Sequence, residues 1–290
     1  MATLLDFRRR IRSVKNTQQI TRAMKFVSAA RLRRAQEAAL AARPYAKELA
    51  RVLRSIMTRI ESPEHPLLEK RPEERILGIV LAGERGLAGA FNANILKEAM
   101  KFFRSKKDKK LVVIPVGKKS RDALRKAGFE IAAEYVNVLA RVDLGVAQEI
   151  AKVVTELYAE DKVDAVYIIF SEFKNVLAPN LITEKLLPIE KIEEPGEPGK
   201  GPEALVDYIY EQPPNVILDR LLPRYAETQI LRALLESSAA EHAARMTAME
   251  AATNNAGEVI EGLTLHMNKV RQAAITKEII EIVSGAASTA

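Results

Sequence analysis

The stretch that decides the fold is residues 242–274, HAARMTAMEAATNNAGEVIEGLTLHMNKVRQAA. Within it, apolar and small side chains recur at alternating spacings of four and three residues. This heptad spacing is typical of a helix that packs against another helix in a coiled coil. The positions that follow it are His242, Met246, Met249, Thr253, Ala256, Ile260, Leu263, Met267, Val270 and Ala274. The sequence therefore predicts a long helix, from about Asn215 to Ser284, that pairs with a second one.

The partner helix is predicted at the other end of the chain. Residues 1–60 contain no glycine and a single proline, Pro44, and helix-forming side chains dominate them. Their heptad seam comprises Leu32, Ala35, Ala39, Ala42, Ala46, Leu49, Leu53, Ile56 and Ile60. Ile20, Met24 and Val27 follow a different phase, which predicts that the seam slips between Ser28 and Arg31. We expect two terminal helices of similar length, paired antiparallel.

The segment between the two helices alternates strands with helices. This order is typical of a largely parallel α/β sheet. The predicted strands are Ile76–Leu81, Leu111–Val116, Val163–Phe170 and an edge strand Asn180–Leu187. The predicted helices are Phe91–Phe103, Lys119–Ala127 and Val142–Tyr158. Loop composition marks Glu194–Pro202, and the first helix is expected to end at Pro63, Pro66 and Pro72.

The predicted fold class is therefore α/β plus a long antiparallel coiled coil. The N- and C-terminal helices pair, and a Rossmann-like α/β domain is inserted between them. The expected boundaries are residues 1–62 for the N-terminal coiled-coil helix, 63–208 for the α/β foot domain and 209–290 for the C-terminal coiled-coil helix.

Candidate chemistry in the sequence is sparse. There is no cysteine and the three histidines are scattered, so neither a thiolate site nor a histidine-rich metal site is expected. No nucleophile elbow or HExxH motif occurs. The turn Gly83–Gly89, GERGLAG, has GxxGxxG spacing and no following Walker lysine, which favours a tight strand-to-helix turn over a phosphate site. We expect no catalytic, cofactor-binding or metal-binding residues.

Charge is concentrated in the first helix. Residues 1–60 contain 15 lysines and arginines and three acidic residues, Asp6, Glu37 and Glu48, whereas the whole chain has a net charge of +7. Pairing within the helix cannot absorb this excess, so an acidic partner is expected. A nucleic-acid-binding protein or a freestanding coiled-coil adaptor is the alternative, although no known DNA-reading motif appears. No transmembrane stretch and no signal-peptide core follow the N-terminus, which favours a cytoplasmic protein.

Two terminal segments identify a family resemblance. Residues 11–24, IRSVKNTQQITRAM, and 271–288, RQAAITKEIIEIVSGAAS, resemble the N- and C-terminal signatures of the γ subunit of bacterial F-type ATP synthase. Gly86–Asn92, GLAGAFN, is similar to the family's GLCGAFN turn, with Ala88 replacing cysteine. Asp207–Glu211, DYIYE, resembles a further family segment. The resemblance covers the whole chain.

The resemblance implies a rotor shaft without catalytic sites of its own. In the family the coiled coil threads the α3β3 hexamer, and the α/β foot rests on the c-ring of Fo beside the ε subunit. Proton flow turns the ring, and the asymmetric shaft drives the β catalytic sites through successive conformations. The implied location is the cytoplasmic face of the bacterial cell membrane, as a peripheral membrane protein, and no nucleic-acid partner is implied.

The resemblance also implies roles for particular residues. Those implied to contact the α and β subunits or to affect coupling are Met24, Arg245, Arg271, Gln272, Thr276 and Glu278, with Arg245 a partner for Glu278. Those implied to contact the c-ring and ε are Tyr208, Tyr210 and Glu211. The residues themselves add one prediction. Because Lys277 and Glu281 occupy the next seam positions after Ala274, the last turns are expected to continue as a single unpaired helix.

Overall fold

The computed structural model describes residues 3–57, 65–174, 179–189 and 212–289. These divide into two compact units: one combines the start of the chain through Ser28 with the segment from Arg245 onward, and the other spans Ala29–Ala244. The predicted loop Glu194–Pro202 and the seam position Ile60 lie outside the described residues. Among the described helices, none has the length and apolar character needed to cross a membrane.

Two long helices form the ends of the chain. Helix α1 spans Leu4–Met57 and helix α5 spans Pro214–Thr289. The expectation of similar lengths is wrong, because α1 has 54 residues and α5 has 76. The N-terminus of α1 is capped reciprocally: the backbone N–H of Asp6 donates to Thr3 Oγ1, and that of Thr3 donates to Asp6 Oδ2. This arrangement satisfies N–H groups that the first turn leaves free.

A five-stranded sheet lies in the unit Ala29–Ala244. Its strands are β1 Arg75–Leu81, β2 Lys110–Val116, β3 Glu130–Ile131, β4 Ala165–Phe173 and β5 Pro179–Leu187, in the order β3-β2-β1-β4-β5. The first four are mutually parallel, and β5 lies at the predicted edge position, where it pairs antiparallel with β4. The connecting helices are α2 Phe91–Ser105, α3 Lys118–Lys126 and α4 Leu144–Ala159. The two-residue strand β3 was not predicted, since it is too short to show a period.

Side chains alternate between two cores on the two faces of the sheet. On one face, Leu77 and Ile79 of β1 pack with α4, with the last turns of α1 and with α5. On the other face, Val80 packs with α2 and α3. Gly78 permits the close approach of α2, because a Cβ at this position would lie 2.5 Å from a ring carbon of Phe103. The inserted domain is thus an α/β/α layer arrangement.

One partly buried carboxylate joins three elements of this domain. Glu73, just before β1, accepts hydrogen bonds from Lys106 Nζ at 2.8 Å and Tyr167 Oη at 2.9 Å, and Lys185 Nζ lies 2.9 Å away. Burial by itself raises the pKa of the Glu73 carboxyl, but the hydrogen bonds from Lys106, Lys185 and Tyr167 outweigh it and lower the pKa to about 2. The ionised carboxylate therefore stabilises the folded domain.

We expect Glu73→Gln to lower the free energy of unfolding by about 2 kcal/mol at pH 7. Since the folded pKa lies below the unfolded value, this contribution is fully present above about pH 4.5 and is lost as the pH falls toward 2. Urea denaturation at several pH values measures it. Glu74→Gln is the control, because Glu74 is exposed and its ion pair with Lys109, at 2.7 Å, lies on the surface. A Glu73→Gln deficit that is constant with pH contradicts this account.

Candidate functional site

The predicted seam of α5 is confirmed by burial. Every predicted position from His242 to Ala274 is buried or half-buried, whereas most residues between them are exposed. The most buried of the seam positions are His242, Met249 and Ala256. The side chains toward Ala274 are only half-buried. The seam therefore becomes less enclosed toward the end of α5.

The seam of α1 differs from the prediction, because it does not slip. Ile20 and Val27, which suggested a second phase, are 60% and 52% exposed. The buried positions at this level are Thr21 and Ser28, 9% and 2% exposed. With them, the alternation of three and four residues continues without interruption along α1. The predicted phase slip was wrong because four successive seam positions, Gln18, Thr21, Lys25 and Ser28, carry polar side chains. The apolar side chains nearby therefore lie on a different face of α1 from the seam.

Contacts between the helices run antiparallel in the unit formed by residues 3–28 and 245–289. The ring of Phe7 lies 5.1 Å from that of His266, between centroids. Further along α1, Thr21 Oγ1 lies 2.8 Å from Thr253 Oγ1, and Lys25 Nζ lies 2.6 Å from Glu250 Oε1. Residues later in α1 thus contact residues earlier in α5. This is the antiparallel pairing that the sequence predicts.

The end of α5 has no partner helix among the described residues. All side chains from Ile275 to Ser284 are exposed, which confirms that the seam ends at Ala274. Lys277 and Glu281, which occupy the next seam positions, pair with each other on the surface at 3.5 Å. Large apolar side chains are nevertheless frequent on this single helix: Ile275, Ile279, Ile280, Ile282 and Val283 are all exposed. A patch of this kind is typical of a surface that another protein covers.

The structure locates most of the residues singled out by resemblance. Arg271, Gln272, Thr276 and Glu278 are exposed near and beyond the end of the seam, and Met24 and Arg245 are half-buried on α1 and α5. The expected pairing of Arg245 with Glu278 is wrong. Both belong to helix α5, 33 residues apart, which corresponds to about 50 Å of helix rise. Tyr208, Tyr210 and Glu211 lie outside the described residues.

The basic excess of α1 is displayed at its start. Arg8, Arg9, Arg10, Arg12, Lys15 and Arg22 are exposed, and none makes an ion pair with another described residue. Further along α1 several cations have acidic neighbours, such as Glu37 beside Arg33 at 2.9 Å. The first turns of α1 therefore present a positive surface that an acidic partner would complement.

The glycine-rich turn is filled by the protein itself, in agreement with the prediction of a tight turn. The backbone N–H of Gly83 donates to Asn92 Oδ1 at 2.8 Å, and Asn92 Nδ2 donates to the Arg85 carbonyl at 3.1 Å. A Cβ on Gly83 would lie 2.8 Å from Glu241 Oε1. Helix α2 and helix α5 thus approach the turn where a phosphate would need space. Across the described residues, no group of three or more histidine, aspartate or glutamate side chains is arranged to hold a metal ion.

The chain thus has an antiparallel pair of terminal helices and an α/β domain inserted between them in sequence. Comparison with known proteins identifies the family that has this architecture. The chain matches the ATP synthase family over residues 3–289. It is 49% identical to the ATP synthase gamma chain of Solibacter usitatus over 292 residues and 48% identical to that of Pelotomaculum thermopropionicum over 288, covering 99% of each chain. The chain belongs to the ATP synthase gamma chain family.

Solved structures share the fold. A chain of the Euglena gracilis mitochondrial ATP synthase, in an OSCP/F1/c-ring assembly, matches with a TM-score of 0.67 at 20% identity, covering 99% of this chain and 94% of that one. A chain from the central stalk and c-ring of the Tetrahymena thermophila enzyme matches with a TM-score of 0.58 at 23% identity, covering 80% of this chain and 99% of that one. The paired helices and the inserted sheet are therefore the common architecture.

Two helical glycines of α5 allow a matched test of the pairing. Nothing lies within 4 Å of a Cβ built on Gly262, so Gly262→Ala should stabilise the chain by about 0.5–1 kcal/mol through helix propensity. A Cβ on Gly257 would lie 3.3 Å from Gln18 Nε2. We expect Gly257→Ala to be less favourable than Gly262→Ala by about 1 kcal/mol, as the contact with Gln18 is disturbed. Thermal unfolding of both variants measures this, and equal stabilisation would contradict the predicted contact.

Proposed function

We propose that this chain is the central rotor shaft of an F-type ATP synthase. The helical pair threads the α3β3 hexamer, and the inserted α/β domain rests on the c-ring beside the ε subunit. Proton-driven rotation of the ring turns the shaft, which couples rotation to ATP synthesis and hydrolysis. The observation that carries the proposal is the unpaired end of α5, apolar and exposed, in a chain of the gamma family.

The unpaired end requires a surrounding protein. Five large apolar side chains stand exposed on residues 275–284. Burying such surface is worth about 25 cal/mol for each Å² removed from water. A collar, that is, a ring of apolar side chains from surrounding subunits, would therefore stabilise this helix. A single helix inside a collar can also rotate, because its contacts are non-directional. The hexamer of α and β subunits is the partner that the family supplies.

Coupling requires a shaft that is different on different sides. A single helix has no threefold symmetry, and α1 and α5 end at different levels in the unit that contains the unpaired end. The exposed cations at the start of α1 add an electrostatic difference. Each β subunit would therefore meet a different surface of the shaft at any moment. The asymmetry arises from these features, not from a slip in the seam.

Particular residues are proposed for the contacts. Arg271, Gln272, Thr276 and Glu278 are exposed at the end of α5, which suits contact with the α and β subunits. Met24 and Arg245 are half-buried, and we assign them to coupling through the conformation of the helical pair. Tyr208, Tyr210 and Glu211 are proposed c-ring and ε contacts by resemblance alone.

The proposed role is mechanical, and the catalytic sites are assigned to the β subunits. The chain would then work at the cytoplasmic face of the bacterial cell membrane, as a peripheral protein held by the complex. Its own described residues contribute shape, apolar surface and charge. The free energy that it transmits comes from ion flow through the ring.

Co-purification tests the assignment. We expect the tagged chain to assemble with α and β subunits into a complex that hydrolyses ATP, because the apolar end needs a collar. Removing residues 275–290 should weaken this assembly, while a chain that retains them assembles fully. Salt-sensitive binding of DNA by the isolated chain, without association with α and β, would support the nucleic-acid alternative and overturn the proposal.

Charge reversal tests the basic start of α1. Changing Arg8, Arg9, Arg10 and Arg12 to glutamate should lower ATP-driven proton pumping severalfold, because like charges would then face the acidic partner surface. The matched control reverses Lys97, Arg104, Lys107 and Lys126, which are exposed on the α/β domain and make no ion pair with another described residue. Unchanged pumping and assembly in the first variant would show that the excess charge serves only solubility.

A further inference from the structure

Four consecutive seam positions of α1 are polar, and the proposed function uses none of them. The seam is apolar before them, at Val14, and after them, at Leu32. The polar positions are Gln18, Thr21, Lys25 and Ser28. Polar side chains in a seam bury less apolar surface and so weaken the pairing. Their presence at the middle of the helical pair calls for a compensating role.

Two of these four residues, Gln18 and Thr21, contact the same residue of α5. Thr21 Oγ1 lies 2.8 Å from Thr253 Oγ1, and Gln18 Nε2 donates to the Thr253 backbone carbonyl at 3.3 Å. Each threonine hydroxyl also lies within hydrogen-bonding distance of a carbonyl in its own helix. Thr21 Oγ1 lies 3.0 Å from the Gln18 carbonyl oxygen, and Thr253 Oγ1 lies 2.7 Å from the Met249 carbonyl oxygen. A hydroxyl that donates to its own helix can still accept from its partner. The pair therefore forms a connected polar network across the seam.

Gly257 makes room for this network. It lies one helical turn after Thr253, on the side that faces Gln18. An added Cβ would lie 3.3 Å from Gln18 Nε2, which is tighter than an ordinary contact. Glycine inside a helix is unfavourable by about 1 kcal/mol relative to alanine. Here it leaves the Thr253 carbonyl accessible to the amide of Gln18.

The other seam contacts of this unit have little directional preference. Met249, Ala256, Ile260 and Leu263 are small or flexible apolar side chains that would pack equally against a helix displaced by one heptad. Such a displacement moves α5 by about 10 Å along α1. Thr21 would then face Met246 or Ile260, neither of which offers a side-chain hydrogen-bond partner. Among the described seam contacts of this unit, the polar network is therefore the one that distinguishes the observed alignment most strongly from an alignment displaced by one heptad.

We propose that Gln18, Thr21 and Thr253 are positioning residues that set the axial register of the two helices. A polar contact within an apolar seam specifies alignment at a cost in stability, because a misaligned partner leaves the polar groups unpaired. Ion pairing of Lys25 with Glu250, at 2.6 Å, acts in the same direction near the surface.

The register has a consequence for the shaft, and this step rests on the proposed function. Alignment decides how far α5 extends beyond the start of α1. A shift of one heptad would lengthen or shorten the unpaired end by about 10 Å. Arg271, Gln272, Thr276 and Glu278 would move with it. The network therefore sets the level at which these residues meet the hexamer.

Disulfide trapping on the isolated full chain measures the register directly, since the chain has no cysteine of its own. The pair Phe7→Cys with His266→Cys reports the observed register. Phe7→Cys with Val259→Cys or with Ala273→Cys reports a slip of one heptad in either direction. These pairs are introduced into the parent and into Thr21→Val/Thr253→Val. One control is Thr21→Ser/Thr253→Ser, which keeps both hydroxyls. The other is Thr264→Val, because the Thr264 hydroxyl donates within α5, to the Ile260 carbonyl at 2.7 Å.

We expect the yield of slipped disulfides to rise roughly tenfold in Thr21→Val/Thr253→Val and to stay at the parental level in both controls. Gln18→Leu removes one contact without touching the hydroxyls, and it should raise the slipped yield by a smaller factor. It also serves as the test if the valine variant loses its helical signal. Slipped yields at the parental level in every folded variant would overturn the proposal.

The assembled complex gives the functional readout. Thr21→Val/Thr253→Val should lower the number of protons pumped per ATP hydrolysed, while hydrolysis itself continues. Thr264→Val should pump as the parent does. Because trapping on the isolated chain needs no partner, its result stands separately from the rotor assignment. Slipped disulfides together with unchanged pumping would refute the mechanical consequence and leave the register assignment in place.

Discussion

In the unit formed by residues 3–28 and 245–289, helices α1 and α5 bury apolar surface against each other along one narrow stripe, because most of the side chains on their other faces are exposed. That stripe follows an unbroken alternation of three and four residues. The residues that occupy it determine the other features. Leucine and isoleucine near Leu53 join the α1 seam to the core of the α/β domain. Polar side chains around Thr21 make the pairing directional, and the seam ends at Ala274, where α5 becomes single.

Much of this architecture could be predicted from the sequence, since heptad spacing and strand–helix alternation are local patterns. The α5 seam was predicted position by position, and the strands β1, β2, β4 and β5 within about three residues. The α1 seam was misjudged where it mattered most. Hydrophobicity pointed to Ile20 and Val27, while the structure buries Thr21 and Ser28. Spacing alone, extended from Leu32 toward the N-terminus, would have identified Ser28 and Thr21 without reference to polarity.

Other features depend on partners that lie far away in the sequence. The Glu73 network joins side chains from three separate elements, and no local pattern predicts it. The Gln18 contact requires a glycine at position 257, and the sequence does not show this until the two helices are aligned. The supposed pairing of Arg245 with Glu278 shows the opposite error. A functional relationship between two residues does not imply contact, and on one continuous helix the rise per residue separates them.

Together these features describe a subunit whose work is the transmission of force. Polar contacts align the helical pair, the apolar end suits a collar in which it can turn, and the start of α1 presents positive charge. The most direct test is to watch the motion. A bead attached at Lys107→Cys, with α3β3 immobilised and ATP supplied, should rotate in one direction with a pause for each β subunit. Hydrolysis at the full rate while the bead shows only Brownian motion would contradict the account.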